Sequence, residues 1–171
     1  MKRVHLGSGQ DYRQGWVNID VDKNLKADIY SDFIKGIPLK SNSVDEIFCK
    51  NVFEHVPNPL NFLLEIKRVL KKGGKATIIT DNSSYFIFHF PRRKAYHETY
   101  NVTHPEFDQH YFFFQKGHLR SFTRAAGLKL IRLEYCITDN RKSKNHYFQK
   151  FVSLFIGRKF GYGGFYWVVE K

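Results

Sequence analysis

Residues 44–80 read as a strand, a helix and a strand in immediate succession, and no other stretch constrains the fold so strongly. The run VDEIFC at 44–49 follows a Pro/Ser/Asn loop, GIPLKSNS, and suits a strand. In VPNPLNFLLEIKRVLKKGG, Asn58 is placed to cap a helix, and Pro59 takes its first position, where a missing N–H costs nothing. Phe62, Leu63, Ile66, Val69 and Leu70 recur at helical spacing, giving one apolar face. Lys71 and Lys72 suit the negative end of the helix dipole, and Gly73 or Gly74 is expected to close the helix. KATIIT at 75–80 then returns as a strand. Strands joined through a helix run parallel, so the unit predicts an α/β protein with a mostly parallel sheet.

The rest of the chain fits that frame. Short apolar runs at 3–6, 16–21 and 27–30 read as strands ahead of the unit. After it, residues 116–126 read as a helix closed by Gly127, LKLIRLEYCI as a strand, and GYGGFYWVVEK as a glycine turn with a last strand. Arg141, Lys142 and Lys144 mark a basic loop. At 171 residues the chain suits one domain with a full core. It shows no internal repeat and no linker. The longest apolar runs, such as 151–156, are far too short to span a bilayer, and MKRVHLGSG has no apolar segment of the kind a signal peptide needs. Cys49 and Cys136 each sit in a strand-like run and read as small buried hydrophobes in a reducing compartment, so a cytoplasmic location is expected.

The opening VHLGSGQDYRQGWVNIDVD carries the first chemical signal. Gly-Ser-Gly after a strand allows a sharp turn and a close approach of backbone to ligand, and an acid ending the next strand can accept two hydrogen bonds from a ribose diol. A dinucleotide site is disfavoured. Tyr12 stands where that fingerprint wants Gly or Ala, and Asp20 follows too soon after Gly7. The segment before Trp16 is also too short for the usual crossover helix, so a single turn or an extended loop must replace it.

VHLGSG, WVNIDVD, SDFIKGIPLKSNSVDEIFCKNVFEHVPNP and FLLEIKRVLKKGGKATIITDN follow one another in an order and spacing that resembles the class I S-adenosylmethionine-dependent methyltransferases, most of all the methyltransferase type 11-related group. The resemblance covers residues 3 to 82 well and 110–136 more loosely. It implies a Rossmann-like methyltransferase fold whose last strand is antiparallel, and S-adenosylmethionine as cofactor. It implies that Gly7, Ser8 and Gly9 approach the methionine and ribose, that Asp20 grips the ribose hydroxyls, and that Asp32 takes the adenine amino group with Phe33 flanking the ring. Asn51 and Val52 are expected at the methionine end. The family's third glycine is missing, with Asp11 in its place.

Residues 81–115 break the periodicity with an aromatic, histidine-rich stretch, and a lid-like insertion at about 83–115 of a single domain 1–171 is expected. His89, His97, His104, His110 and His118 fit no common ligand spacing and have no cysteine beside them, so no metal is expected. By the resemblance, a histidine before the penultimate helix lies near the substrate, which favours His110. Asp81 with Asn82, at the end of the strand after the helix, and Tyr85 complete the acceptor-side candidates; Asp81 and His110 are the expected catalytic pair.

The charge is +12, and it is uneven. Residues 1–85 hold 13 Lys/Arg and 10 Asp/Glu; residues 86–171 hold 15 and 6. A basic second half suits an anionic acceptor, nucleic acid or a lipid surface. A small molecule, glycan or lipid precursor is the expected acceptor, because KNVFEHV stands where a base-methylating enzyme would carry an Asn-Pro-Pro-Tyr-like motif. Nucleic acid ranks second as a partner. The competing readings are a non-catalytic module binding nucleic acid or a protein partner on a methyltransferase scaffold, and an RNA methyltransferase. Oligomeric state is left open.

Overall fold

The computed structural model describes residues 1–32, 35–85, 111–137 and 144–171, with the side chains of 144 and 145 excepted. Seven strands form one sheet: β1 (Arg3–Leu6), β2 (Val17–Asp20), β3 (Ile29–Tyr30), β4 (Val44–Lys50), β5 (Leu70–Asp81), β6 (Lys129–Cys136) and β7 (Gly164–Glu170). Their order across the sheet is β3-β2-β1-β4-β5-β7-β6. β1 to β5 run parallel, and β7 lies antiparallel between β5 and β6. Three helices accompany them: α1 (Pro59–Val69), α2 (Lys116–Ala125) and α3 (Lys144–Gly161). The chain leaves β1 towards β2 on one side and β4 towards β5 on the other. This reversal opens a cleft beyond the carboxyl ends of β1 and β4, where ligands of such sheets bind.

The core lies on the face that α1 and α2 cover. Leu6, Cys49, Ile78 and Trp167 pair across adjacent strands and so point the same way, as do Val4, Ile47, Ala76 and Val169. Phe62, Leu63, Ile66 and Val69 of α1 and Leu119 of α2 are buried against them. Phe53 packs edge-on to Trp167, and the Trp167 indole donates to the Thr123 hydroxyl in α2, so the largest core ring is oriented as well as buried. The opposite face carries His5, Phe48, Thr77 and Val168 in one row; of these only His5 is fully buried.

No helix joins β1 to β2. Residues 7–16 form turns organised by Asn18, a buried amide in β2. Its Oδ1 accepts from the Arg13 N–H, and its NH2 donates to the carbonyls of Arg13 and Trp16. The Arg13 guanidinium lies 3.6 Å from the Phe48 ring centroid and also faces Trp16. A stacked cation and an indole thus cover part of the sheet face that a crossover helix would otherwise cover.

α1 begins as its sequence requires: Asn58 Oδ1 accepts from the Asn61 N–H, with Pro59 next in line. Its end is a correction. The helix stops at Val69, Leu70 is already extended, and Lys71 to Gly74 bulge out between the pairs Val44–Leu70 and Glu46–Lys75. Gly73 adopts φ +77°, and a Cβ on Gly74 would meet the Lys71 carbonyl at 2.9 Å, so the two glycines serve the bulge and not a helix cap. Lys71 pairs with Asp45, while Lys171, from the far end of the chain, donates to the carbonyls of Arg68 and Leu70. The cation that meets the helix dipole is therefore not one of the two expected.

Candidate active site

The carboxyl ends of the five parallel strands β1 to β5 lie along the edge that carries the cleft. After β1 the chain turns through Gly7 (φ +64°), Ser8 and Gly9 (φ +50°), and the N–H groups of Gly7 and Ser8 donate to the Ile19 carbonyl of β2. Asp20 ends β2. Its Oδ2 accepts from the Gly9 N–H at 2.7 Å and its Oδ1 from the Asp22 N–H at 3.0 Å. A carboxylate offers about four lone-pair positions, so Asp20 keeps acceptor capacity for a diol while already fixing the glycine loop. The Asp20 carbonyl accepts from the Ser31 N–H, which sets Asp32 just beyond β3. Asp32 also meets Lys35 at 3.3 Å, a largely exposed pair of little energetic weight. Phe33 lies outside the described residues.

Two features fit a nucleoside with an amino-acid tail. The Ser8 hydroxyl is buried and has no hydrogen-bond partner among the described residues. A Cβ built on Gly9 would meet nothing within 4 Å, so open space adjoins the loop. An unpaired buried hydroxyl carries a cost that a ligand's polar group would remove.

β4 ends at Lys50, and Asn51 turns the chain with φ +52°, its N–H held by the Ile79 carbonyl. Asn tolerates this left-handed conformation better than most residues. Val52 follows, half-buried, and a short 3-10 turn (Phe53–His55) then buries both Phe53 and Glu54. Glu54 is the site residue the sequence did not reveal. The Thr80 hydroxyl donates to its Oε2 at 2.8 Å, and its carbonyl accepts from the N–H groups of Tyr111 and Phe112. Burial, and then the nearby Asp81 carboxylate, push the Glu54 carboxyl up to about 8. Both causes favour the neutral form of the Glu54 carboxyl. The only signal was an acid inside the apolar NVFEHV.

Asp81, at the carboxyl end of β5, adjoins this acid. Asn82 does something other than expected. It is fully buried, its NH2 donates to the carbonyls of Lys159 and Tyr162, and its Oδ1 accepts from the Ser84 N–H. It ties β5 to the end of α3 and has no amide hydrogen left for an acceptor. Tyr85 is buried. His118 accepts from the Gln115 N–H and so caps α2. His110 and most of the expected lid lie outside the described residues.

The methyltransferase domain family matches residues 10–78. An uncharacterized protein of Methanocaldococcus jannaschii is 36% identical over 77 residues, which are 44% of this chain and 34% of that protein. The chain thus spans about a third of that relative's length. Among solved structures, a Haloferax volcanii putative methyltransferase in complex with the Trm112 methyltransferase activator aligns with 99% of this chain and 81% of its own, at a TM-score of 0.66 and 18% identity. Phosphoethanolamine N-methyltransferase 2 of Haemonchus contortus, in complex with S-adenosyl-L-methionine, aligns with 100% of this chain and 49% of its own, at 0.67 and 16%. At such identities the shared feature is the fold.

Proposed function

Because the chain carries a class I S-adenosylmethionine-dependent methyltransferase domain, we propose that it moves a methyl group from that cofactor to an acceptor held at the carboxyl edge of the sheet. The observation that carries this reading is the bond from the Gly9 N–H to Asp20, which makes the glycine loop and the diol-binding acid one rigid unit. Residues 7–9 would hold the methionine and ribose, Asp20 the ribose hydroxyls, and Asp32 with Phe33 the adenine. Asn51 and Val52 would flank the methionine end. The cofactor supplies the electrophilic methyl carbon. The chain's own work is to orient the acceptor in line with it and to take a proton where the acceptor is a hydroxyl or an ammonium.

Asp81 is the base in this reading. After burial, its charge is what raises the Glu54 carboxyl, and the Thr80 hydroxyl fixes Glu54 in place beside it. His110, which precedes the Tyr111 and Phe112 N–H groups that meet the Glu54 carbonyl, is the second acceptor-side candidate. The acceptor is a small molecule, a glycan or a lipid precursor. The phosphoethanolamine N-methyltransferase among the structural neighbours and the basic second half of the chain both support a small anionic acceptor. The cell compartment is the cytoplasm, in keeping with free thiols at Cys49 and Cys136. A second reading, a subunit that works with an activating partner, is favoured by the Haloferax protein, which was solved with such an activator.

Titration calorimetry of the chain with S-adenosylmethionine, against Asp20→Ala, tests the proposal. Loss of affinity on the order of tenfold or more is expected, because the variant loses a charged acceptor and frees the glycine loop. Unchanged affinity in a folded Asp20→Ala protein overturns the assignment. Methyl transfer from labelled cofactor to fractionated small-molecule, glycan, lipid and RNA pools then identifies the acceptor class; labelling of RNA alone would reject the small acceptor.

A further inference from the structure

Helix α3 faces the wrong way for a helix of a soluble core. Among its described side chains the one fully buried is polar, with Val152 only half-buried: Gln149 is 1% exposed, and its Oε1 accepts from the Gly163 N–H at 3.0 Å. Ser153, half-buried, lies against Gly161, where a Cβ would come within 2.6 Å of the serine Cα. Gly157 (φ +76°) breaks the helix and lets the chain double back there. Its outward positions are apolar. Tyr147, Phe151, Leu154 and Phe155 are 64%, 59%, 80% and 73% exposed. At 3.6 residues per turn they share an arc of about 100°, on the side away from Gln149. The Phe151 and Phe155 rings touch each other, with centroids 5.1 Å apart, and Phe160 extends the surface beyond the break. Contiguous exposed apolar surface of this kind marks an interaction site.

Charge selects the partner. α3 contains Lys144, Lys150, Arg158 and Lys159 and no acidic residue. Lys150 borders the apolar arc, Arg158 and Lys159 immediately precede Phe160, and the Lys159 ammonium lies 5.1 Å from the Phe160 ring centroid. A second copy docking through this face would set these cations against one another with no carboxylate on the helix to offset them. An anionic bilayer offers what both halves of the surface need: phosphates for the cations and the boundary of the acyl region for the aromatic rings. We propose that α3 docks the protein onto anionic lipid surfaces, lying in the interface plane with Phe151, Leu154 and Phe155 inserted. The helix does not cross, since no described helix is long and apolar enough to do so. Asn82 binds the end of α3 to β5, so docking brings the carboxyl edge of the sheet beside the membrane. The inference stands on α3 alone and needs no methyl transfer.

Co-sedimentation of the full chain with vesicles tests it, using phosphatidylcholine alone and phosphatidylcholine with about a third phosphatidylglycerol. Partitioning into the anionic vesicles is expected to exceed that into neutral ones by on the order of tenfold, and to fall by a similar factor in Phe151→Ser/Leu154→Ser/Phe155→Ser and in Lys150→Glu/Arg158→Glu/Lys159→Glu. Phe155→Trp, which keeps the aromatic surface, should bind as the parent does, with emission that shifts to the blue on anionic vesicles. Absence of binding overturns the proposal. So does equal binding by the triple serine variant, which would reduce the effect to net charge. A dimer by sedimentation equilibrium that becomes a monomer in the triple serine variant would assign the surface to a second copy instead.

Discussion

α1 and α3 are built from similar materials and bury opposite sides. α1 turns Phe62, Leu63, Ile66 and Val69 inward. Its cations find partners: Arg68 makes paired bonds to Glu65 at 2.7 and 2.8 Å and also donates to the carbonyls of Ile37 and Leu39, and Lys67 donates to the Ala126 carbonyl. The Arg68 guanidinium in turn holds the Glu65 carboxyl below its usual range. α3 turns Gln149 inward and its aromatic side outward. The difference lies in what each helix packs on. α1 lies over a sheet face of Val, Ile and Leu, which rewards apolar contact. α3 closes the loop from β6 to β7, where the backbone turns at Gly163 and presents an N–H that must be satisfied.

If that contrast holds, truncation inside α1 costs most. Ile66→Ala is expected to lower stability by about 2–5 kcal/mol, because the sheet behind it cannot close the void. Urea denaturation measures this, and a loss comparable to that of a surface change would mean the face is not tightly packed.

The α1 side also buries a titratable polar group, Glu54, and it sharpens the contrast because it is buried as an acid. Its carboxyl stands at about 8 in the fold against an ordinary 4.5. The unfolded chain therefore releases this proton first. The stabilisation is fully present below about pH 4.5 and is lost as pH rises through about 8, with a slope of up to about 1.4 kcal/mol per pH unit. Glu54→Gln removes the proton while keeping the shape. Its stability relative to the parent should rise across that window, by a few kcal/mol in all. Parallel denaturation curves for the two proteins at pH 5, 6.5 and 8 would mean that Glu54 titrates normally.

Gln149→Leu is the direct test of the other helix. It makes α3 more apolar, yet it strips the Gly163 N–H of its acceptor in a buried place, and a cost of about 1–3 kcal/mol is expected. A stabilised variant would show that α3 faces as it does for some other reason.

These residues also show why some of the molecule could be read in advance. Asn58 and Pro59 start α1 through contacts within one turn, so the sequence contains the whole cause. The end of α1 is different. Lys-Lys-Gly-Gly serves a helix terminus and a bulge equally well, and the choice is made by Asp45 and Lys171, both distant in sequence. The place of Asp20 at the end of β2, beside the glycine loop, was legible because loop and strand lie in one short stretch of sequence. Glu54 was not, because its burial and its neighbour Asp81 exist only once β4 and β5 are paired. α3 was missed as a helix for a related reason. Its apolar run at 151–156 ends at Gly157 and has no facing core, so the usual link between apolar spacing and burial fails there.

The smallest expected effect is the most informative about that failure. Leu154→Ser and Phe155→Ser remove large apolar side chains from residues 80% and 73% exposed. If these side chains pack on nothing in the chain, each substitution should change stability by no more than about 0.5 kcal/mol, as surface changes do. Leucine or phenylalanine cut back inside the core would cost several times that. The same two residues are among the three whose joint loss should weaken vesicle binding by on the order of tenfold. A pair of variants that unfold like the parent but no longer sediment with anionic lipid would separate the two jobs of an apolar side chain, holding the fold and meeting a partner. Destabilisation of 2 kcal/mol or more in either variant would show that α3 is covered from within the chain, and the contrast with α1 would then collapse.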